Sequence, residues 1–133
     1  MERCDLAVER KHRLGCNCCQ AVLLAFADEL KESWNEKVGD EDFLMALGSG
    51  FGSGMGGMDA TCGALVGAGM VAGLLNGDGD HPAVLKTRRM SAEFKERVGA
   101  LRCADIKGVQ TKKDLCPCDD CVRHAIRIAE KSI

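Results

Sequence analysis

Cysteine is the residue type in this chain whose number and spacing could carry chemistry. The 133 residues contain nine cysteines, and the segments GCNCC and LCPCDDC each contain a C-x-x-C spacing. This spacing joins Cys16 to Cys19 in the first segment and Cys118 to Cys121 in the second. Paired thiols of this kind bind zinc or iron–sulfur clusters, or exchange disulfides. An odd number of cysteines cannot all pair within one chain, so metal, cluster or redox chemistry is favoured over a disulfide framework.

Three cysteines are predicted to lie in the first turns of helices. Cys18, Cys62 and Cys121 each follow closely after Asn or Asp, the residue types that cap helix amino termini. The predicted caps are Asn17, Asp59 and the pair Asp119 and Asp120. A helix amino terminus carries unpaired N–H groups and about half a positive charge, which stabilises a thiolate and lowers the pKa of its thiol. Three such ends that converge would form a pocket for an anionic, sulfur-rich group.

Glycines are concentrated between Gly50 and Gly73. Each glycine inside a helix costs about 0.5–1 kcal/mol relative to alanine, so we expect a close approach to the backbone in this region. The run GFGSGMGG is predicted to bend back and offer N–H groups to whatever Cys62 holds. The glycines predicted to bind the cofactor are Gly54, Gly56, Gly57 and Gly63. Tight helix packing is an equally supported role for Gly63, Gly67, Gly69 and Gly73, and both roles are compatible.

The elements that must position these residues are predicted to be helices. No stretch alternates apolar and polar residues as a strand would, so the predicted fold is all-α. We expect a single domain over residues 1–133, a compact bundle of about five helices with a glycine-rich loop before a small-residue central helix. The predicted helices are 18–34, a segment that opens at Asp40, 60–75, 82–98, and a last helix from Asp119 or Asp120. A turn over 76–82 separates the third helix from the fourth.

Apolar side chains at helical spacing support each helix. The predicted stripes are Leu23, Phe26, Ala27, Leu30 and Trp34; Phe43, Leu44, Leu47 and Phe51; Ala60, Ala64, Ala68 and Ala72; Met90, Phe94 and Val98; and Val122, Ala125, Ile126, Ala129 and Ile133.

Charge and composition exclude several functional classes. The formal net charge of -2 argues against nucleic-acid binding. The charged amino terminus lacks the apolar core of a secretory signal, and the longest apolar stretch is too short to span a bilayer, so we expect a cytoplasmic protein with no membrane insertion. Neither C-x-x-C is followed by histidine, which excludes c-type haem attachment. A phosphate-binding loop is absent from the sequence.

The cysteine and glycine motifs together resemble those of the C_GCAxxG_C_C family of redox-active proteins. The resemblance runs from about Asn17 to the carboxyl end and is carried by NCCQAVL, by GFGSGMGGMDATCGALVGAGMVAGL, by a lone Cys103 and by CDDCV. The four characteristic cysteines of the family fall on Cys18, Cys62, Cys103 and Cys121. Where the family usually has alanine after the first cysteine, this chain has Cys19.

The resemblance implies a redox role and a module that can hold an iron–sulfur centre. Our leading hypothesis is that the four characteristic cysteines bind a 2Fe-2S or 4Fe-4S cluster that exchanges electrons with an unidentified redox partner protein. Zinc would satisfy the same ligands. The alternative is a metal-free thiol–disulfide protein or sensor in which Cys62 is a low-pKa nucleophile and Cys121 or Cys18 resolves the mixed disulfide.

The remaining cysteines have no assigned role. They are Cys4, Cys16, Cys19, Cys116 and Cys118. A buried, small apolar side chain is the favoured interpretation for Cys4 and Cys19. A third possibility for the whole chain is a helical scaffold that forms a homodimer through the small-residue face of the helix over 60–75.

Overall fold

The architecture is all-α, as the sequence predicts. The computed structural model describes residues 1–76 and 83–133, and these ranges contain no named strand, only an isolated bridge between Thr61 and Arg102. The helices are α1 (Arg3–Leu14), α2 (Cys18–Ala25), α3 (Ala27–Ser33), α4 (Glu41–Gly48), α5 (Gly63–Asn76), α6 (Ala83–Val98), α7 (Cys103–Lys107) and α8 (Cys118–Ser132), with one π-helical turn over Gly54–Met58.

These eight α-helices in the described ranges exceed the five that were predicted. The first predicted helix, 18–34, is divided into α2 and α3 at Phe26, whose backbone leaves helical geometry. The Phe26 side chain is completely buried, so the residue at which the two helices separate is also part of the core. Trp34, predicted to be on the same apolar face, instead follows the end of α3 and is 56% exposed. The other two additional helices are α1 and α7.

Two helix starts are confirmed by their caps. The Asn17 side chain accepts a hydrogen bond from the backbone N–H of Gln20, and the Gln20 side chain accepts one from the backbone N–H of Asn17. This reciprocal capping box satisfies two N–H groups at the start of α2. Asp40 likewise accepts from the N–H of Phe43 at the start of α4. Both starts therefore follow from local side-chain chemistry.

The central helix α5 begins later than predicted. It starts at Gly63, so Asp59 does not cap it, and the Asp59 carboxylate instead forms an ion pair with Arg102. The small residues Ala64, Ala68 and Ala72 are buried, and α5 packs against α2, α6 and α8. Dimer formation through a small-residue face of this helix stays a prediction.

The helical glycines of α5 have different roles. A Cβ atom at Gly67 would lie 3.0 Å from the carbonyl oxygen of Cys19, so this glycine lets α5 approach the backbone of α2. At Gly69 the nearest atom would be 3.4 Å away, and at Gly73 there is open space. Tight helix packing therefore applies to Gly67, and Gly63 belongs to the site described below.

The helices α6 and α8 contribute further buried residues to the core. In α6 the predicted stripe of Met90, Phe94 and Val98 is buried. The predicted turn over 76–82 begins at Asn76, which is the last residue of α5, and the rest of it lies outside the described residues, as does the predicted helix start at Pro82. The helix α8 starts at Cys118, one or two residues before the predicted caps. No helix in the described part of the chain is both long and apolar enough to cross a bilayer.

Candidate functional site

One cavity of about 290 Å³ collects most of the cysteines. It is bounded by the ends of several helices and by the loop before α5. The cysteines that line it are Cys16, Cys18, Cys62, Cys103, Cys118 and Cys121; its other lining residues are Lys11, Asn17, Ser53, Met58, Gly63, Ile106 and Lys107. The four cysteines predicted as ligands are thus brought together from four separate segments of the chain.

Cys18 lies where the capped start of α2 meets the start of α5. It is the first residue of α2, directly after the Asn17 cap. A Cβ atom at Gly63 would come within 2.8 Å of the Cys18 sulfur and even closer to the carbonyl oxygen of Phe51. Since real Cβ atoms do not approach so closely, glycine at position 63 is needed for Cys18 to occupy this place.

Cys62 and Cys103 are held together by backbone hydrogen bonds. The N–H of Cys62 donates to the carbonyl of Leu101 at 2.8 Å, and the N–H of Cys103 donates to the carbonyl of Ala60 at 2.9 Å. These bonds flank the bridge noted above, so the two cysteines belong to two short paired segments. Cys62 and Cys103 are 41 positions apart in the sequence, and backbone hydrogen bonds alone hold their segments side by side.

Cys121 reaches the cavity from the first turn of α8. Its thiol points toward the carbonyl oxygen of Cys116 at 3.7 Å. It is 1% exposed, and its sulfur is close enough to Cys62 to raise the pKa of that thiol. The sulfur of Cys62 in turn raises the pKa of Cys18. Cys62 is thus a neighbour of both of the other predicted first-turn cysteines.

The prediction of low thiol pKa values is wrong for Cys18 and Cys62. The neighbouring Cys121 thiol and burial together raise the pKa of Cys62 to about 12. The Cys62 thiol and burial raise the pKa of Cys18 well above its ordinary value. The helix amino termini do not offset these effects because the low-dielectric surroundings and like-charged neighbours both disfavour a thiolate. Cys62 also precedes α5 instead of lying in its first turn.

Only some residues of the glycine-rich loop approach the site. A Cβ atom at Gly54 would lie 2.7 Å from the Cβ of Cys103, so this glycine lets the loop pack on that cysteine. Gly56 and Gly57 are exposed, have no atom within 4 Å of a built Cβ, and do not line the cavity. The loop contains three non-glycine residues with positive φ, Ser53, Met55 and Met58, and Ser53 and Met58 line the cavity. Such conformations cost about 1–2 kcal/mol each.

Two lysines at the cavity were not found from the sequence. The ammonium group of Lys107 donates to the carbonyl of Cys116 at 2.7 Å, and that of Lys11 donates to Asp119 at 2.9 Å. His12 also contacts Asp119, at 2.7 Å. Lys107 stands four residues after Cys103, which is one helical turn, but α7 is too short for its apolar pattern to be recognised. Both lysines add positive charge beside the thiols.

The remaining cysteines divide into core and site residues. Cys4 and Cys19 are buried in the hydrophobic core, which agrees with their predicted role as small apolar residues. Burial raises the pKa of Cys19 to about 12. Cys16 lines the cavity with its thiol 3.6 Å from the sulfur of Met45, and Cys116 lies beside Cys121.

The spacing of the thiols bears on which group could bind. Four sulfurs around one zinc at about 2.3 Å would be about 3.8 Å apart. Among the residues that the structure describes, Glu2, Cys4 and Asp5 form the one set of three or more His, Cys, Asp or Glu residues whose ligand atoms all lie within 4.8 Å of one another. The four cavity cysteines are therefore more widely spread than a zinc tetrahedron. The cavity has the volume of roughly ten water molecules, which suits a larger group.

The fold and the site define a class: an all-α protein that surrounds a cavity lined by cysteines and flanked by two lysines. A family model described as "Putative redox-active protein (C_GCAxxG_C_C)" matches residues 16–132. The chain belongs to this family, which confirms the resemblance seen in its motifs. Searches of curated proteins and of solved structures found no match.

Proposed function

We propose that the protein is a redox module that binds a 2Fe-2S or 4Fe-4S cluster through Cys18, Cys62, Cys103 and Cys121 and exchanges electrons with a partner protein. The observation that carries this proposal is the convergence of these four cysteines, from four segments, on one cavity. Four thiolates are the ligand set of both cluster types. The spread of the sulfurs, wider than a zinc tetrahedron, supports a cluster over a single metal ion.

The raised thiol pKa values support the same proposal. Buried thiols that face one another cannot all ionise unless positive charge is added between them. A bound metal removes the protons of its thiol ligands outright. The residues would therefore release protons as they bind, and metal affinity should rise with pH.

The other residues of the cavity have supporting roles in this proposal. The cluster, when bound, supplies one-electron redox chemistry at a potential set by its surroundings. Lys11 and Lys107 provide positive charge that offsets the thiolates. Gly63 and Gly54 let the backbone lie against Cys18 and Cys103. A reducing, cytoplasmic compartment is consistent with nine unpaired cysteines.

Thiol exchange with Cys62 as the attacking group is the less supported alternative. Cys62 is only 6% exposed, and its pKa is about 12, so its thiolate is scarce and shielded from substrates at neutral pH. The adjacency of its sulfur to those of Cys18 and Cys121 is the one feature that favours this alternative.

Analysis of metal content is the direct test. Protein purified without oxygen should be brown, contain iron and acid-labile sulfide, and be bleached by dithionite. Cys103→Ser should lose most of the iron, whereas Cys4→Ser, which changes another buried cysteine outside the cavity, should retain it. Zinc in place of iron, or full iron content in C103S, would contradict the proposal.

A further inference from the structure

The nine cysteines differ sharply in their access to solvent. Cys118 is the single exposed one; Cys18 is half-buried and the other seven are buried. Cys118 also lines the cavity, although it is outside the set of four proposed ligands. A reagent arriving from solvent therefore meets the sulfur of Cys118 before those of the inner cysteines.

Cys118 and Cys121 form a C-x-x-C pair on the first turn of α8. One thiol is exposed and the other is 1% exposed, so the pair combines an accessible sulfur with a protected one. Residues three apart on a helix have Cβ atoms about 5–6 Å apart, and a disulfide needs about 3.5–4.5 Å. The first turn would have to tighten by about 1–2 Å, which a terminal turn can do because helix ends fray.

Two sources of positive charge lie beside Cys118. Cys118 is the first residue of the 15-residue helix α8, where the unpaired N–H groups are. The Lys107 ammonium lies beside the Cys118 sulfur and is held there by its hydrogen bond to the carbonyl of Cys116 at 2.7 Å. Both features favour the negative charge that a sulfur carries while it attacks another sulfur.

We propose that Cys118 and Cys121 form a reversible dithiol–disulfide pair that reacts with low-molecular-weight disulfides. The Cys118 thiolate attacks one sulfur of such a disulfide, forms a mixed disulfide and releases one thiolate. The Cys121 thiolate then attacks the Cys118 sulfur, closes the Cys118–Cys121 disulfide and releases the second thiolate. Two electrons pass from the pair to the reagent, and each cysteine gives its proton to solvent or to a released thiolate.

This activity goes beyond cluster binding and needs no metal. It connects to the proposed function at one residue, since Cys121 cannot ligate a cluster and form a disulfide at once. The two states would therefore exclude each other, and this exclusion rests on the proposed function. Oxidation of the pair would remove Cys121 from the cluster ligands, so that cluster binding would depend on the redox state of the cell.

The experiment uses the whole 133-residue chain, metal-free and reduced, and oxidised glutathione. Free thiols are trapped by alkylation at set times, and mass spectrometry identifies the bonded cysteines. We expect a Cys118–Cys121 disulfide in the unmodified chain. The rate at which reduced glutathione is released should fall about tenfold or more in Cys118→Ser, because the thiols that remain are buried or half-buried and attack slowly. Cys4→Ser, a substitution of a buried core cysteine outside the cavity, should leave this rate unchanged.

The single substitution Cys121→Ser separates the two steps. In this variant glutathione should accumulate as one adduct on Cys118, since no second thiol closes the disulfide. A disulfide that joins Cys121 to Cys62 or Cys116 would overturn the proposal. Equal rates of glutathione release by the unmodified chain and by C118S would also overturn it. Protein that fails to take up iron and sulfide yet forms the Cys118–Cys121 disulfide would contradict only the proposed function. Slower disulfide formation in iron-loaded protein would support the mutual exclusion.

Discussion

The sulfur of Cys18 lies against the α-carbon of Gly63, at a place where a methyl group would come within 2.8 Å of it. This contact joins the start of α2 to the start of α5. It gives a physical reason for the glycine that directly follows Cys62 in the chain. The sulfur of Cys18 occupies the space that a side chain at position 63 would need.

Gly63→Ala should destabilise the protein and disturb the cysteine cavity. The added methyl group would clash with the Cys18 sulfur and with the carbonyl oxygen of Phe51, and overpacking of this kind costs about 1–3 kcal/mol. The free energy of unfolding by urea and the iron content after anaerobic purification are the measurements. Gly73→Ala is the matched control, because it has open space on the same helix and should be neutral or stabilising by up to about 1 kcal/mol. Equal iron content in G63A and unmodified protein would contradict the contact.

Asn17→Ala should weaken both α2 and the site. The side chain accepts a hydrogen bond from the N–H of Gln20 at 2.8 Å and donates to the carbonyl of Gly48 at 3.0 Å. Loss of a helix cap costs about 0.5–2 kcal/mol. Because Cys18 is the next residue, iron should also be lost more readily to a chelator. Asn17→Ser keeps the capping oxygen and should recover most of the stability, whereas equal losses in both variants would count against the cap.

If the proposed cluster is bound, Lys107→Gln should make its reduction potential more negative. Removal of a positive charge beside the cavity disfavours the added electron, by an amount on the order of 1 kcal/mol for a nearby, partly shielded charge. The measurement is a redox titration monitored by visible absorption. Lys112→Gln removes an exposed lysine outside the cavity lining and should leave the potential unchanged. Identical potentials for K107Q and K112Q would refute this role of Lys107.

Asp119→Asn should reduce stability at neutral pH and lose that effect in acid. Burial raises the pKa of the Asp119 carboxyl, but hydrogen bonds from His12 and Lys11 outweigh it, and the net pKa is lowered. A carboxyl with a lowered folded-state pKa contributes stability above its unfolded pKa near 3.9, and this contribution is lost as pH falls through the folded value. We expect a loss of up to about 1 kcal/mol at pH 7.

Urea unfolding of D119N and unmodified protein between pH 7 and pH 2 measures this dependence. The two stability curves should converge at the acid end. Parallel curves would show that Asp119 acts through something other than its charge, such as the start of α8, where it is the second residue.

The convergence of four cysteines on one cavity shows what the sequence patterns contained. The family motif selected Cys18, Cys62, Cys103 and Cys121, and all four line the same cavity. The motif reflects spacing that the chain carries locally, such as a cysteine one residue after a cap or one residue before a glycine. It contains no information on which cysteine faces solvent, so the exposure of Cys118 was not predicted.

The glycine-rich loop shows a distinction that the sequence pattern does not make. Gly54, Gly56 and Gly57 are alike in sequence, yet only Gly54 packs against the site, on Cys103. The difference arises because the segment around Cys103 pairs with residues next to Cys62 through backbone hydrogen bonds. Backbone pairing between distant segments has no side-chain signature, and the sequence therefore treats the three glycines as equivalent.

The sequence by itself determined the all-α class, the caps Asn17 and Asp40, the buried stripe of α6 and the family of the chain. Each of these depends on residues within a few positions of one another, where helical periodicity and capping chemistry act. Only the tertiary structure decided the raised pKa values of Cys18 and Cys62, the nearness of Lys107 to the cavity and the contrast between exposed Cys118 and buried Cys121. Burial and charge at a thiol depend on every segment packed around it, and those segments meet only when the chain folds.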